Sequence, residues 1–181
     1  MFREIRRSRQ ALPVEEGRAI LHRNTAGVLS MHGENYPYGV PISYAYEEPS
    51  REPGALYGTI YFHCAMTGYK LEALGRNDRV SFCVIDQDRI VPDKFTTEFR
   101  SVIAFGVARV ISDDAEKRHG LELLAHKYSP DLSEAATNAE IEGEWNHVCV
   151  IAIDLDYFST KEAIELVRAR GASEKQDEGM E

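Results

Sequence analysis

The segment Tyr38-Gly39-Val40-Pro41-Ile42-Ser43-Tyr44-Ala45-Tyr46 alternates with a period of two. Successive side chains of a strand point to opposite faces, so Tyr38, Val40, Ile42, Tyr44 and Tyr46 share one face and Gly39, Pro41, Ser43 and Ala45 the other. One face is bulky and the other nearly bare. A bare face with one hydroxyl accepts a flat ligand, or packs closely on a helix or a second sheet; this strand alone leaves both open. Pro41 has no N–H to give to a ladder, which favours an edge or a bulge.

Other apolar runs extend the pattern. Thr25–Met31, Ala55–His63, Arg79–Ile85, Phe99–Ile111 and His147–Asp154 read as strands. Phe99–Ile111 is the longest, and Gly106 within it marks a bulge or bend. Pro13-Val14-Glu15-Glu16 opens a helix to about Arg23, with acids at its N-terminus. Thr67–Leu74 reads as a short helix with Thr67 as N-cap, and Asp113-Asp114 open one to about Lys127. A further short helix is expected after Pro130, and a last one over Thr160–Ala169. Glu47–Gly54 and Asp86–Thr97 read as loops. Hairpin-like strands with short helices between them predict a mainly β antiparallel barrel with helical additions. The missing βαβ repeats argue against a doubly wound sheet.

The 181 residues fit one domain. Residues 1–10 form an N-terminal arm, 11–170 the folded domain, and 171–181 an acidic tail expected to be disordered. Both ends read as solvated. The net charge of −9 argues against nucleic acid as the main partner. Met1–Gln10 is too polar for a signal peptide, and no apolar run approaches the ~20 residues of a membrane span. Cys64, Cys83 and Cys149 lie far apart in apolar runs, as reduced thiols of a cytoplasmic protein do.

Tyr61-Phe62-His63-Cys64-Ala65-Met66-Thr67-Gly68-Tyr69-Lys70 runs from a buried-type strand through small residues into a helix start. Free N–H groups there, a glycine that admits close approach and a lysine suit a phosphate. G-x-K alone is also what a solvated lysine looks like. No G-x-G-x-x-G, Walker sequence, H-E-x-x-H or G-x-S-x-G is present, and no metal site is expected. Cys64 and His63 are adjacent in a strand, so they point apart and make a poor nucleophilic pair. Arg100, entering an apolar run, needs an anion, either an acidic side chain or a ligand phosphate.

Four segments in this order resemble the flavin-binding split-barrel proteins, and most of all their nitroimidazole-resistance branch, related to pyridoxamine-phosphate oxidase. They are Pro-x-Ser-Tyr from Pro41, Tyr-Phe-His-x-Ala-x-x-Gly-x-Lys from Tyr61, Phe-Arg-Ser-Val-Ile-Ala-Phe-Gly-x-Ala-Arg-Val from Phe99, and Ser-Thr-Lys-Glu from Ser159. The resemblance spans roughly Ile5 to Ala169. It implies a six-stranded antiparallel split barrel, a homodimer, and FMN in grooves at the dimer interface. By position, Pro41, Ile42 and Ser43 would line the isoalloxazine. His63, Cys64 and Ala65 would flank the ring and ribityl chain, Gly68 and Lys70 would hold the phosphate, and Arg100 and Ser101 would close the site. His63 would stand near the substrate as donor or proton source, or only order the loop. Ser159-Thr160-Lys161 departs from the Ser/Thr-Gly-Lys of many relatives, and Tyr69 is a bulky neighbour for Lys70.

The function so implied is an FMN-dependent oxidoreductase that reduces a small electron-poor substrate, a nitroaromatic for instance, with NAD(P)H as donor. Two rivals stand beside it. One is a split-barrel module that holds flavin or haem without turnover. The other is a pyridoxamine-phosphate oxidase proper, against which the acidic sequence after Arg170 argues.

Overall fold

Seven antiparallel strands form one sheet in the order β2-β1-β5-β6-β7-β4-β3. They are β1 (Ala26–His32), β2 (Pro37–Ser43), β3 (Ala45–Glu47), β4 (Thr59–Ala65), β5 (Arg79–Val91), β6 (Thr96–Val110) and β7 (Val148–Glu162). Among the described residues five α-helices accompany them: α1 (Val14–Arg23), α2 (Tyr69–Arg76), α3 (Asp114–Tyr128), α4 (Glu134–Glu144) and α5 (Ile164–Asp177). This computed structural model describes residues 2–3, 5–49 and 57–177, with side chains as far as Arg170. The loop expected at Glu47–Gly54 and the strand start expected at Ala55 fall partly outside the described residues.

The mainly β, antiparallel architecture with helical additions agrees with a split barrel, but there are seven strands rather than six, and the ladder does not close. The strand expected over Tyr38–Tyr46 breaks at Tyr44. Its two pieces, β2 and β3, lie on opposite edges of the sheet, so the chain itself crosses the seam. Tyr128, far away in sequence, makes the break possible. Its hydroxyl accepts from the Tyr44 N–H at 2.8 Å and sits within hydrogen-bond reach of the Thr25 and Tyr44 carbonyls. The Tyr44 phenol, fully buried, donates to the Leu21 carbonyl at 2.9 Å. Backbone groups that leave a ladder need such partners. Pro41 stands on edge strand β2, where its missing N–H costs nothing.

Inward positions alternate as the period requires. Leu29, Phe62, Phe82, Val84, Val102, Ala104, Ile151 and Ile153 are fully buried, and α1 adds Ile20 and Leu21. At Gly106 the β6–β7 register shifts, as expected of a bulge. A Cβ there would stand 2.3 Å from the Asp154 carbonyl oxygen, so only glycine lets the strands approach.

Several boundaries differ from expectation. Asp86–Thr97 is no loop: β5 and β6 pair onward from Gln87↔Arg100 to Val91↔Thr96 as a long hairpin. Ser159–Glu162 belong to β7, and the last helix starts only at Ile164 and runs to Asp177, into the residues expected to be disordered. Gly68, not Thr67, is the N-cap of α2. The N-terminal arm is not simply solvated: Phe2 stacks on Tyr157 with ring centroids 5.0 Å apart, and Gln10 is buried with its amide donating to the Glu162 carbonyl. Among the described residues, no helix is long and apolar enough to cross a membrane.

Candidate functional site

The strand-to-helix turn after β4 has the features of an anion site. His63 and Ala65 face outward and are exposed, whereas Cys64 lies half-buried against the core beside Phe62. Gly68 has φ +140°, a conformation that side chains rarely adopt, and a Cβ built there meets nothing within 4 Å. The cap of α2 carries no side-chain acceptor. Its first intrahelical bond comes from Glu72 N–H to the Gly68 carbonyl, so the amides of Tyr69, Lys70 and Leu71 are left to an outside acceptor. Lys70 is half-buried with its ammonium 5.5 Å from the Phe62 ring centroid. Among the described residues no carboxylate lies within 4 Å of it. Free amides, a helix N-terminus and a lysine without a carboxylate partner thus belong to one turn, a combination suited to phosphate.

Tyr69 does not obstruct this turn. Its hydroxyl accepts from the Glu34 N–H at 2.8 Å, and its ring meets Tyr38 edge-on, so it ties α2 to the β1–β2 turn. Burial pushes the Cys64 thiol up, against the opposing pull of Lys70; this thiol is not tuned for nucleophilic attack. Cys64 faces Cys149 across β4–β7, and both are free.

Ser43 and His63 meet at a groove of about 510 Å³ between the sheet and the helices α3 and α4. Tyr128, Leu124, Ile141 and Val148 form much of its wall. Burial pushes the Tyr128 phenol up, while hydrogen bonds from Tyr44 and Ser43 pull the other way. Gly39, Pro41 and Ser43 all face outward on β2 and are exposed, so the bare face is open. Ile42 turns its side chain into the core at 8% exposure and offers a ligand only its backbone.

Arg100 and Ser101 point to opposite faces of β6. The Arg100 guanidinium lies 3.4 Å from the buried Glu162 carboxylate and 3.6 Å from Asp86, so the acidic-partner reading holds in this chain. Arg170 reaches the same Glu162 at 2.8 Å and anchors α5. Asp86 accepts from Arg23 at 2.6 and 2.7 Å and from Asn24 at 2.8 Å. These bonds hold its carboxyl below the usual carboxylate range despite burial. The folded form therefore binds the proton less readily than the unfolded chain, and the stability so gained is lost as pH falls through the folded value. Asp86→Asn is expected to lower the melting temperature at neutral pH and to flatten its decline below about pH 4. An equally steep acid decline in the variant would contradict this assignment.

The fold thus joins Ser43 with His63 at the groove, and sets Lys70 by Phe62, whose side chain points to the opposite face of β4 from His63. The Ile42 side chain turns into the core, and the Arg100 guanidinium turns toward Glu162 and Asp86. Tyr128, Glu140 and Ile141 line the groove without having been singled out from sequence. Ser43 and Tyr128 are far apart in the chain, and only the seam at Tyr44 brings them together.

The model of the pyridoxamine 5'-phosphate oxidase family matches residues 13–162, and the chain belongs to that family. No curated protein matches it. Among solved structures it is similar to a conserved hypothetical protein from Mycobacterium tuberculosis, at 18% identity and a TM-score of 0.71, over 88% of this chain and 90% of that one. A candidate 5-nitroimidazole antibiotic resistance protein from Bacteroides thetaiotaomicron matches at 24% identity and a TM-score of 0.64, over 84% and 86%. An FAD and heme binding protein from Mycobacterium smegmatis matches at 21% identity and a TM-score of 0.65, over 86% and 73%. At these identities the likeness establishes a shared fold.

Proposed function

We propose that this protein is an FMN-binding oxidoreductase that reduces a small electron-poor substrate, a nitroaromatic for example, with NAD(P)H as donor. The observation that carries the reading is Lys70, with no carboxylate within 4 Å among the described residues, at the N-terminus of α2 whose glycine cap offers no side-chain acceptor, at the end of the strand that delivers His63 to the groove. These residues fit a flavin mononucleotide. One ammonium and three free amides match a single terminal phosphate, and Gly39, Pro41 and Ser43 leave room for a flat ring. FMN would supply the hydride and electron chemistry, and the protein the binding and orientation. Ser43 and Tyr128 would orient a polar ring edge, and His63, exposed on the groove wall, would hold or release a proton at the substrate.

An apolar row on the sheet would suit partnering by a second copy, which the same reading expects. Pro41, Val28, Cys83, Ile103 and Ser159 stand in one row of cross-strand partners on the outer sheet face. Val28 is 39% and Ile103 42% exposed. Exposed apolar side chains in such a row favour association, and the row shares its edge with the β2 face that would hold the ring. Ile103→Glu is therefore expected to convert a dimer to a monomer in sedimentation analysis and to weaken FMN retention. A variant that sediments and binds as wild type would refute this interface.

A second reading, binding without turnover, is favoured by the opposite orientations of His63 and Cys64, which leave no nucleophile–base pair in the turn. Steady-state NAD(P)H oxidation by the FMN-loaded protein with nitroaromatic acceptors separates the two. Acceptor-dependent turnover, reduced in His63→Ala, is the expected result. Flavin binding with no turnover for any acceptor would leave the second reading standing.

A further inference from the structure

The face that α4 turns to the groove carries charge where an amphipathic helix would carry apolar residues. Thr137, Glu140, Ile141 and Glu144 follow at the i, i+3, i+4, i+7 spacing of one helical stripe, and all four line the groove. Ile141 is the only buried residue of the helix. Glu140 and Glu144 are one turn apart, a like-charge spacing that costs a helix stability. Neither has a lysine or arginine within 4 Å among the described residues; Glu144 has only His147, at 3.8 Å.

The nearby cations are engaged elsewhere. Lys117 donates to the Trp145 carbonyl at 2.6 Å and lies 4.6 Å from that ring centroid. Arg118 binds Glu122 and Asn138. Lys127 sits 4.2 Å from the Tyr44 ring centroid, and burial pulls its ammonium down to about 8. Among the described residues, no lysine or arginine lines the groove. The opposite wall is apolar, with Leu121, Leu124, Leu132 and Val148.

We propose that this groove selects an apolar, ring-bearing substrate with a cationic end, the ring against the α3 leucines and the cation between Glu140 and Glu144. The inference rests on the reading above for placing the substrate beside His63, and it goes beyond it by naming the substrate's charge. A doubly charged phosphate ester, the kind of substrate in the family's name, meets two carboxylates here and, among the described residues, no lysine or arginine. Phosphate binding belongs to the α2 turn, and substrate binding to a groove of the opposite sign. Glu140 and Glu144 are exposed at the lip of the groove, so their attraction for a cation is modest and strongest at low ionic strength.

The test is calorimetric titration at low ionic strength with three probes of one shape: phenethylamine as its ammonium, phenethyl alcohol and phenylacetate. The ammonium is expected to bind at least about threefold more tightly than the alcohol, with phenylacetate weakest. Glu140→Gln with Glu144→Gln should bring the ammonium to the level of the alcohol and leave the alcohol unchanged. Glutamine preserves helix propensity, so the variant should fold. Phenylacetate binding as tightly as the ammonium, a preference that survives the double variant, or no ammonium binding at millimolar concentration would each overturn the proposal. An FMN titration on the same preparation separates the two readings. FMN binding without a charge preference sinks the substrate inference alone, and a charge preference without FMN binding sinks the flavin reading alone.

Discussion

Lys70→Met should weaken FMN binding by about 2 kcal/mol, roughly thirtyfold in Kd, and leave riboflavin affinity unchanged. The ammonium has no competing carboxylate within 4 Å among the described residues, so its charge is available to a phosphate. A charge-assisted hydrogen bond of this kind is worth more than a neutral one. Methionine keeps the unbranched stem that packs toward Phe62, which isolates the charge from the packing. Riboflavin lacks the phosphate and serves as the internal control. Equal losses for FMN and riboflavin would show that Lys70 shapes the ring site instead. Loss of FMN affinity in Arg100→Met but not in Lys70→Met would move the phosphate to the barrel end, against the pairing of Arg100 with Asp86 and Glu162.

Phe82→Ala should destabilise the fold by about 3–5 kcal/mol, the range for deleting a fully buried aromatic ring. Phe82 is 0% exposed, and its ring meets Tyr44 edge-on with centroids 4.9 Å apart. Tyr44 is where the chain crosses the seam between the two sheet edges, held by Tyr128 and Leu21. A cavity beside it therefore loosens the barrel at the point where no ladder closes it. Urea denaturation followed by circular dichroism measures the loss. A change below about 1 kcal/mol would mean that the core collapses onto the gap and that Phe82 does not support the seam.

Much of the sheet was legible because apolar alternation is a local property. The bulge at Gly106, the edge position of Pro41 and the cap at Asp113 all follow from residue chemistry that the structure repeats. Three features were not legible, each for a long-range reason. The outer part of the β5–β6 hairpin is polar, because Asp88 and Arg89 face solvent, and no alternation marks it. The end of β7 reads as hydrophilic, yet Glu162 is 1% exposed, since Arg100 and Arg170 meet its carboxylate. The break at Tyr44 depends on Tyr128, a residue far along the chain.

The site was legible in the same proportion. His63, Gly68 and Lys70 could be found because a strand end running into a glycine and a lysine is a local pattern with a physical meaning. Ile42 and Arg100 follow the family pattern in sequence, but their side chains face the core and an acidic pair. The groove's acidic lip on α4 lay in a segment whose helical period is almost without apolar residues, so only the packed helix shows which face it turns inward.

Equilibrium titration of the purified protein with FMN, followed by flavin fluorescence and visible absorbance, tests most directly the proposal that each chain holds one FMN at the α2 turn. The expected result is saturation at one flavin per chain, with a perturbed absorbance spectrum, and an affinity for FMN well above that for riboflavin. No saturable binding, or equal affinity for FMN and riboflavin, would contradict it.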